Sequence, residues 1–314
     1  LLSYILKRIA YAIPVSFAVS LICFSLVQLA PGDPLALVLP TDATQEMINA
    51  TKARYGLDKP LSVQYGYWLW NVLQGDFGTS ISTGRSVASE IGNAIGYSLA
   101  LAGLASLIGF TVGTGLGLIA GYQVGSPVDK VASAISISGV SIPNYWLGIV
   151  LVVIFSVNLN LFPSMGAGTG SDMTLLERLR FMVLPAVTLA AAPAGIVTRS
   201  VRALVAEKLS MEFVNALRAK GLTEPQIFAH VVKNAAPTAL AVIGVQMGYL
   251  MAGSILVETV FSWPGTGLLL NGAILQRDIP LLQGTILVLA MFFVSLNLLV
   301  DIIQPLLDPR IRRS

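Results

Sequence analysis

The chain has 314 residues, 55% of them hydrophobic and only 11% charged, with a strongly positive mean hydropathy. Soluble domains carry roughly 25% charged residues, so this composition excludes an ordinary water-soluble domain, and a net charge of only +3, not spread as a nucleic-acid-binding face would be, gives no such face. A single cysteine, Cys23, and a single histidine, His230, rule out an internal disulfide framework, a cysteine metal site and most histidine-dependent hydrolase chemistry.

About 20 apolar residues in a helix cross a hydrocarbon core of about 30 Å. The first such stretch is Ile9–Ala30. It is longer than a signal-peptide core of about 7–15 residues and runs straight into Pro31, so it reads as a retained span.

Pro31–Gly96 follows, with Asp33, Asp42, Glu46, Asp58, Asp76 and Glu90 against four basic residues, and reads as a small extracytoplasmic element. Inside it Tyr65, Tyr67, Trp68 and Trp70 form an aromatic cluster, with Val63–Leu73 a short helix under the first of its two readings. Two readings stand for those rings: a place at the membrane–water boundary, or packing onto the rest of the segment.

The second stretch, Tyr97–Val124, holds Gly109, Gly113, Gly117 and Gly121 at four-residue spacing. This puts them on one helix face and predicts close backbone packing against a neighbour. Gly113-Thr-Gly115-Leu-Gly117 has no strand before it and no acidic residue at the right distance after it, so it is not a nucleotide-binding loop.

Val131–Phe155, Phe181–Thr198, Pro237–Val257 and Leu281–Val300 complete the set. None of the six contains Asp, Glu, Lys or Arg, and in lipid only helices satisfy such backbones locally. The expectation is an all-α membrane protein of about six transmembrane helices. Residues 1–96 supply the first helix and the extracytoplasmic segment, 97–305 a five-helix core with an exposed loop at 207–236, and 306–314 a tail.

Basic residues set the orientation. Lys7 and Arg8 precede the first span, Arg199, Arg202, Lys208, Arg218, Lys220 and Lys233 lie between the fourth and fifth, and Arg310, Arg312 and Arg313 end the chain. With an even number of spans these regions share one side, which the positive-inside rule makes the cytoplasm, both termini included.

Within that loop, Phe213–Lys220 predicts a short helix ended by Gly221 in a left-handed cap, with Lys220 in its last turn. Thr223 and Gln226 form a capping-box pattern opening a second helix, whose first turn accommodates Pro225. The two helices meet at a tight corner, with Leu222 and Phe228 near its tip as an apolar knob. The corner is either a docking point for a soluble partner or a plain connection. Arg218 and Lys220 either pair with acidic groups of that partner or mark the cytoplasmic side.

Here the sequence resembles the dipeptide/oligopeptide/nickel family of ABC importer permeases. Asn215-Ala216-Leu217-Arg218-Ala219-Lys220-Gly221-Leu222, followed by Phe228, His230, Lys233-Asn234-Ala235 and Pro237, is similar to that family's ATPase-coupling loop. Of the general Glu-Ala-Ala pattern before the glycine only Ala216 is kept. Collinear matches include Leu29-Ala-Pro-Gly-Asp33-Pro34, Gly75-Asp76-Phe-Gly78-Thr79-Ser80, Ser141-Ile-Pro143, Leu184-Pro185-Ala186, Val257-Glu258-Thr-Val-Phe261-Ser-Trp263-Pro264-Gly265, Arg277-Asp278-Ile-Pro280 and Asp308-Pro309-Arg310.

The resemblance implies a type I ABC importer bundle in the bacterial inner membrane. A second homologous permease chain would complete the pathway, two ATPase subunits would bind ATP and Mg, and an extracytoplasmic solute-binding protein would deliver peptides or similar solutes. No Gly-Lys pair, and hence no phosphate loop, occurs in this chain, so hydrolysis is expected in a partner and no cofactor here.

Gln28, Asn144, Gln246 and Asn297 are the polar residues placed to line a pathway, while Glu258 and Asp301 are read as holding helix ends. The alternative, a secondary transporter or channel, would normally carry charged residues at mid-span, and none is present.

Overall fold

The computed structural model describes residues 2–28, 44–54, 58–168 and 173–307. They form α1 (Leu2–Gln28), α2 (Gln45–Arg54), α3 (Leu61–Leu73), α4 (Val87–Tyr122), α5 (Pro127–Ser141), α6 (Asn144–Leu151) running into a π-helical segment Val152–Asn158, α7 (Leu175–Leu209), α8 (Glu212–Ala219), α9 (Glu224–Val260), α10 (Thr266–Leu275) and α11 (Ile279–Leu307). Five of these are long and apolar enough to cross a membrane, and a bent pair makes a sixth.

α7 is the central helix. A Cβ at Gly113 would lie 2.8 Å from the Ala194 carbonyl oxygen, one at Gly117 2.7 Å from Val201 Cβ, and one at Gly121 2.7 Å from Val205 Cβ. Gly109 faces Ala190 in the same series. The glycine face of α4 thus lets the two backbones touch. Contacts rise together along both chains, so α4 and α7 run parallel.

The α5–α6 pair must then return the chain to the start of α7, and it does so along α7 itself. Asp129 meets Arg202, Ser136 donates to the Gly195 carbonyl, and Gly148 packs by Thr188. The unbroken span expected over Val131–Phe155 is therefore corrected: the helix axis turns by 105° between Ser141 and Asn144. A residue before proline is pushed out of the helical region, and Ile142, before Pro143, is extended at φ −82° and ψ 124°.

The fifth span differs in the opposite sense. The helix opened by Thr223 does not stop before the apolar stretch but continues through Pro237 to Val260. α9 runs antiparallel to α7, with Gly253 beside Leu189, and α11 antiparallel to α9, with Gly244 against Val300 and Gly248 against Phe293.

Three apolar clusters follow. One joins α4, α7 and the end of α9 around Leu101, Leu189 and Phe261. A second joins α7, α8 and the start of α9 around Val205, Val214, Ile227 and Val231. A third, at the other end, packs Val87 and Ile91 of α4 against Ala273 and Leu281.

The aromatic cluster is split, and its packed half sits on the first helix and not on the rest of its own segment. Tyr65 and Trp68 of α3 pack on Phe24 of α1, at ring distances of 5.4 and 5.7 Å, whereas Tyr67 and Trp70 point outward.

Candidate functional site

The exposed corner between α8 and α9 is built by local chemistry. Gly221 has φ +81°, a conformation that costs an L-residue about 1–2 kcal/mol. Its N–H donates to the Arg218 carbonyl at 2.9 Å and the Leu222 N–H to the Leu217 carbonyl at 3.2 Å. This pair of bonds is the Schellman motif that closes a helix on a left-handed glycine. On the far side the Thr223 N–H donates to Gln226 Oε1 at 2.9 Å, an arm of the capping box.

Arg218 Nε donates to Glu224 Oε1 at 3.0 Å, bridging the two helices across the corner. Both side chains are about half exposed, so the pair shapes the turn and adds little stability.

Asn215, Ala216, Arg218, Lys220, Gly221 and His230 are exposed on this corner. The apolar knob expected from Leu222 and Phe228 is not there. Both are only partly exposed and pack inward on the cluster of Val205, Val214 and Ile227, and Phe228 meets Tyr122 edge-on at 5.0 Å. Apolar residues at such a corner gain more from the helices beneath them than from solvent, so its outer surface is polar and basic. Tyr122, the last residue of α4, is the site residue that the sequence pattern missed. It belongs to the second apolar stretch and lies 106 residues from Phe228 (228 − 122).

Beside the corner, Asp129 is held by Arg202 through two bonds, Nε to Oδ1 at 2.7 Å and Nη2 to Oδ2 at 2.8 Å. The Gly125 N–H also donates to Oδ2, at 2.8 Å. This clamp fastens the α4–α5 turn to α7. Ser126-Pro127-Val-Asp129, a capped helix start with Ser126 accepting from the Asp129 N–H, was the local signal for half of it.

At the opposite end two acids organise the connections. Glu258 is fully buried, accepts from Ser98 Oγ at 2.7 Å and from the Gly267 N–H at 2.6 Å, and so caps the N-terminus of α10. Holding a helix end is the role expected for it. Asp278 accepts from Ser80 Oγ, Ser82 Oγ and the N–H groups of Ser82 and Leu281. Burial pushes its carboxyl up, but these bonds outweigh burial and hold it below its ordinary range.

Of the four polar residues expected along a pathway, the described structure places three. Asn144 starts α6 with its amide near Gly253 of α9. Gln246, seven residues before Gly253 and hence on the same helix face, is 5% exposed, and its Oε1 has no hydrogen-bond partner among the described residues. Asn297 on α11 donates to the Phe293 carbonyl of its own helix. The side chains of Gln28 and Asp301 and the tail arginines lie outside the described residues, and no cluster able to hold a metal occurs among those described.

This geometry is that of a helical bundle with several helices long and apolar enough to cross a membrane and one polar corner outside it, and the comparisons name its class. Residues 113–313 match the family described as the binding-protein-dependent transport system inner membrane component, and residues 1–100 its N-terminal counterpart. The chain belongs to this family of transport permeases. It is 38% identical over 309 residues to a putative peptide transport system permease protein of Brucella abortus (strain 2308), covering 98% of both chains. It is 35% identical over 313 residues to the glutathione transport system permease protein GsiC of Escherichia coli (strain K12), covering 99% of both. Among solved structures, an inward-facing form of the MetNI methionine ABC transporter matches with TM-score 0.55 and 18% identity, covering 69% of this chain and 95% of that one. That likeness is one of fold.

Proposed function

We propose that this chain is one of two permease subunits of an ATP-driven importer for peptides or related small solutes, and that the Gly221 corner is where a separate ATPase acts on it. The reading places the corner and both termini in the cytoplasm of a bacterium. Asp278 and α10 then lie on the side from which a binding protein delivers solute. ATP and Mg belong to the ATPase subunits, and this chain contributes no catalysis.

One observation carries the proposal: α9 is a single 37-residue helix that starts at the corner. Such a helix is about 55 Å long, so a displacement imposed at Gly221 reaches the far side of the membrane along one continuous helix, Pro237 included. Relatives named for peptide and glutathione transport support the cargo class. The face of α9 that carries Gln246 and Gly253, with Asn144 opposite, is the proposed polar lining when the pathway opens.

The test is Gly221→Pro in the complete transporter reconstituted in vesicles. Proline fixes φ near −65° and cannot occupy φ +81°. Solute-stimulated ATP hydrolysis and uptake are both expected to fall to background while the protein still inserts. Uptake that survives the substitution, or labelling of Lys220→Cys by an impermeant maleimide from outside the cell, would overturn the assignment.

A further inference from the structure

α3 has two faces of different fate. Its inner face seats Tyr65 and Trp68 on α1: the Tyr65 hydroxyl is 2.8 Å from Ser20 Oγ, and its ring lies 5.9 Å from Phe17 and 5.4 Å from Phe24. The opposite face presents Val63, Tyr67, Trp70 and Leu73, from 40% to 72% exposed. None of the thirteen residues of α3 is charged. The nearest cation, Lys59, lies just before the helix, its ammonium 4.4 Å from the Tyr67 ring centre.

The depth of this helix follows from what it touches. The apolar stretch of α1 is Leu6–Ser25. Phe17, Ser20 and Phe24 all fall in its last part, within about 12 Å of its end along the helix axis. A helix seated there lies at the height of the apolar layer, where a water-facing row of Trp, Tyr and Leu would be costly. On α1 itself Phe17, Leu21 and Ile22 are exposed over the same interval, so the outward face of α3 continues a lipid-facing surface.

We infer that α3 is an interfacial helix whose outward face inserts into the membrane leaflet around the end of α1, with Tyr67 and Trp70 at headgroup level and Lys59 reaching the phosphates. The partner is the lipid surface. Aromatic rings with one apolar and one polar end favour this boundary, and a helix with no charged residue places no costly charge in the apolar layer. The consequence is that the segment after α1 is anchored to the bilayer. Which leaflet this is follows from the orientation proposed above, but the depth itself does not depend on it.

The test uses the chain's single native cysteine to advantage. With Cys23→Ser in an otherwise cysteine-free transporter, nitroxides are placed at Val63, Tyr67, Trp70 and Leu73, and at Thr83 as an exposed reference. The protein is reconstituted in nanodiscs of phosphatidylcholine and phosphatidylglycerol. Collision rates with oxygen, which concentrates in lipid, are compared with those of a water-soluble nickel chelate. Oxygen access severalfold above nickel access is expected at Tyr67, Trp70 and Leu73, with the reverse at Thr83. Nickel access that exceeds oxygen access at those three positions means a water-facing surface and overturns the inference. Low access to both means cover by another protein chain and overturns it equally. A position whose label disrupts insertion is replaced by Gly66, exposed on the same face.

Discussion

At the residue scale, the face of α4 gives the sharpest contrast. Gly117 leaves no room for a side chain, because a Cβ there would sit 2.8 Å from the Thr198 carbonyl oxygen, whereas two residues earlier Gly115 has nothing within 4 Å. Overpacking typically costs about 1–3 kcal/mol, and here backbone opposes it, so the upper end applies. Gly117→Leu is expected to lower the thermal midpoint and the yield of monodisperse protein. Gly115→Leu, two residues away, should stay within about 0.5 kcal/mol of the parent. Equal losses in both variants would mean that the α4–α7 contact does not have this form.

Asp278 yields a second prediction at this scale. Its carboxyl is held below its ordinary range in the fold, so its contribution is present above the unfolded pKa and is lost as pH falls through the folded value. Stability should therefore decline on the acid side, and Asp278→Asn should flatten that decline. The amide also leaves donors of Ser80 and Ser82 poorly matched, at a cost on the order of 1–3 kcal/mol. Thermal unfolding of both forms between neutral and acid pH measures each effect.

At the scale of elements, length and polarity made most of the spans legible, because about 20 uncharged apolar residues have few uses besides crossing lipid. The corner was legible too, since Gly221, Thr223 and Gln226 encode their cap geometry within a few residues. The break at Ile142–Pro143 was not, because membrane helices tolerate proline and the apolar run continues unbroken across it. α10 escaped notice as a ten-residue apolar helix, too short to span. The Asp129–Arg202 clamp joins residues 73 apart in sequence, and no local pattern reports such a pairing. Leu222 and Phe228 were misplaced because apolar residues near a turn do not reveal which side the turn exposes.

The bend makes its own prediction. A straight helix would set the backbones of Val131 and Ile154 roughly 35 Å apart, whereas two equal arms turned by 105° bring them to about 20 Å. Pulsed electron paramagnetic resonance between labels at these exposed positions should find the short distance. Pro143→Ala, which frees Ile142 to become helical, should populate the longer one. A single long distance in the parent protein would remove the bend, and with it the placing of Asn144 beside α9.

At the scale of the whole molecule, the question is how far a push on the corner travels. α4, α5 and α7 touch nearly backbone to backbone, through the glycine face of α4 and through Gly139 and Gly195 between α5 and α7, and Asp129–Arg202 locks their ends. Packed interiors of this density transmit displacement instead of absorbing it. α9 meets that block through larger side chains, at the corner through the cluster of Val205, Val214, Ile227 and Val231, and there Tyr122 of α4 adds its ring contact with Phe228. If α9 moved alone, the block would be only a scaffold. If the ring contact carries the motion across, the block moves with the corner, and both walls of the pathway shift in one stroke. Tyr122→Ala distinguishes the two in the complete reconstituted transporter. Carried motion predicts basal ATP hydrolysis close to the parent, solute stimulation reduced severalfold, and fewer solute molecules moved per ATP. Tyr122→Phe, which keeps the ring and loses the hydroxyl, should recover most of that ratio. An unchanged ratio in Tyr122→Ala, in protein of normal thermal stability, would mean that the Tyr122–Phe228 contact carries none of that motion.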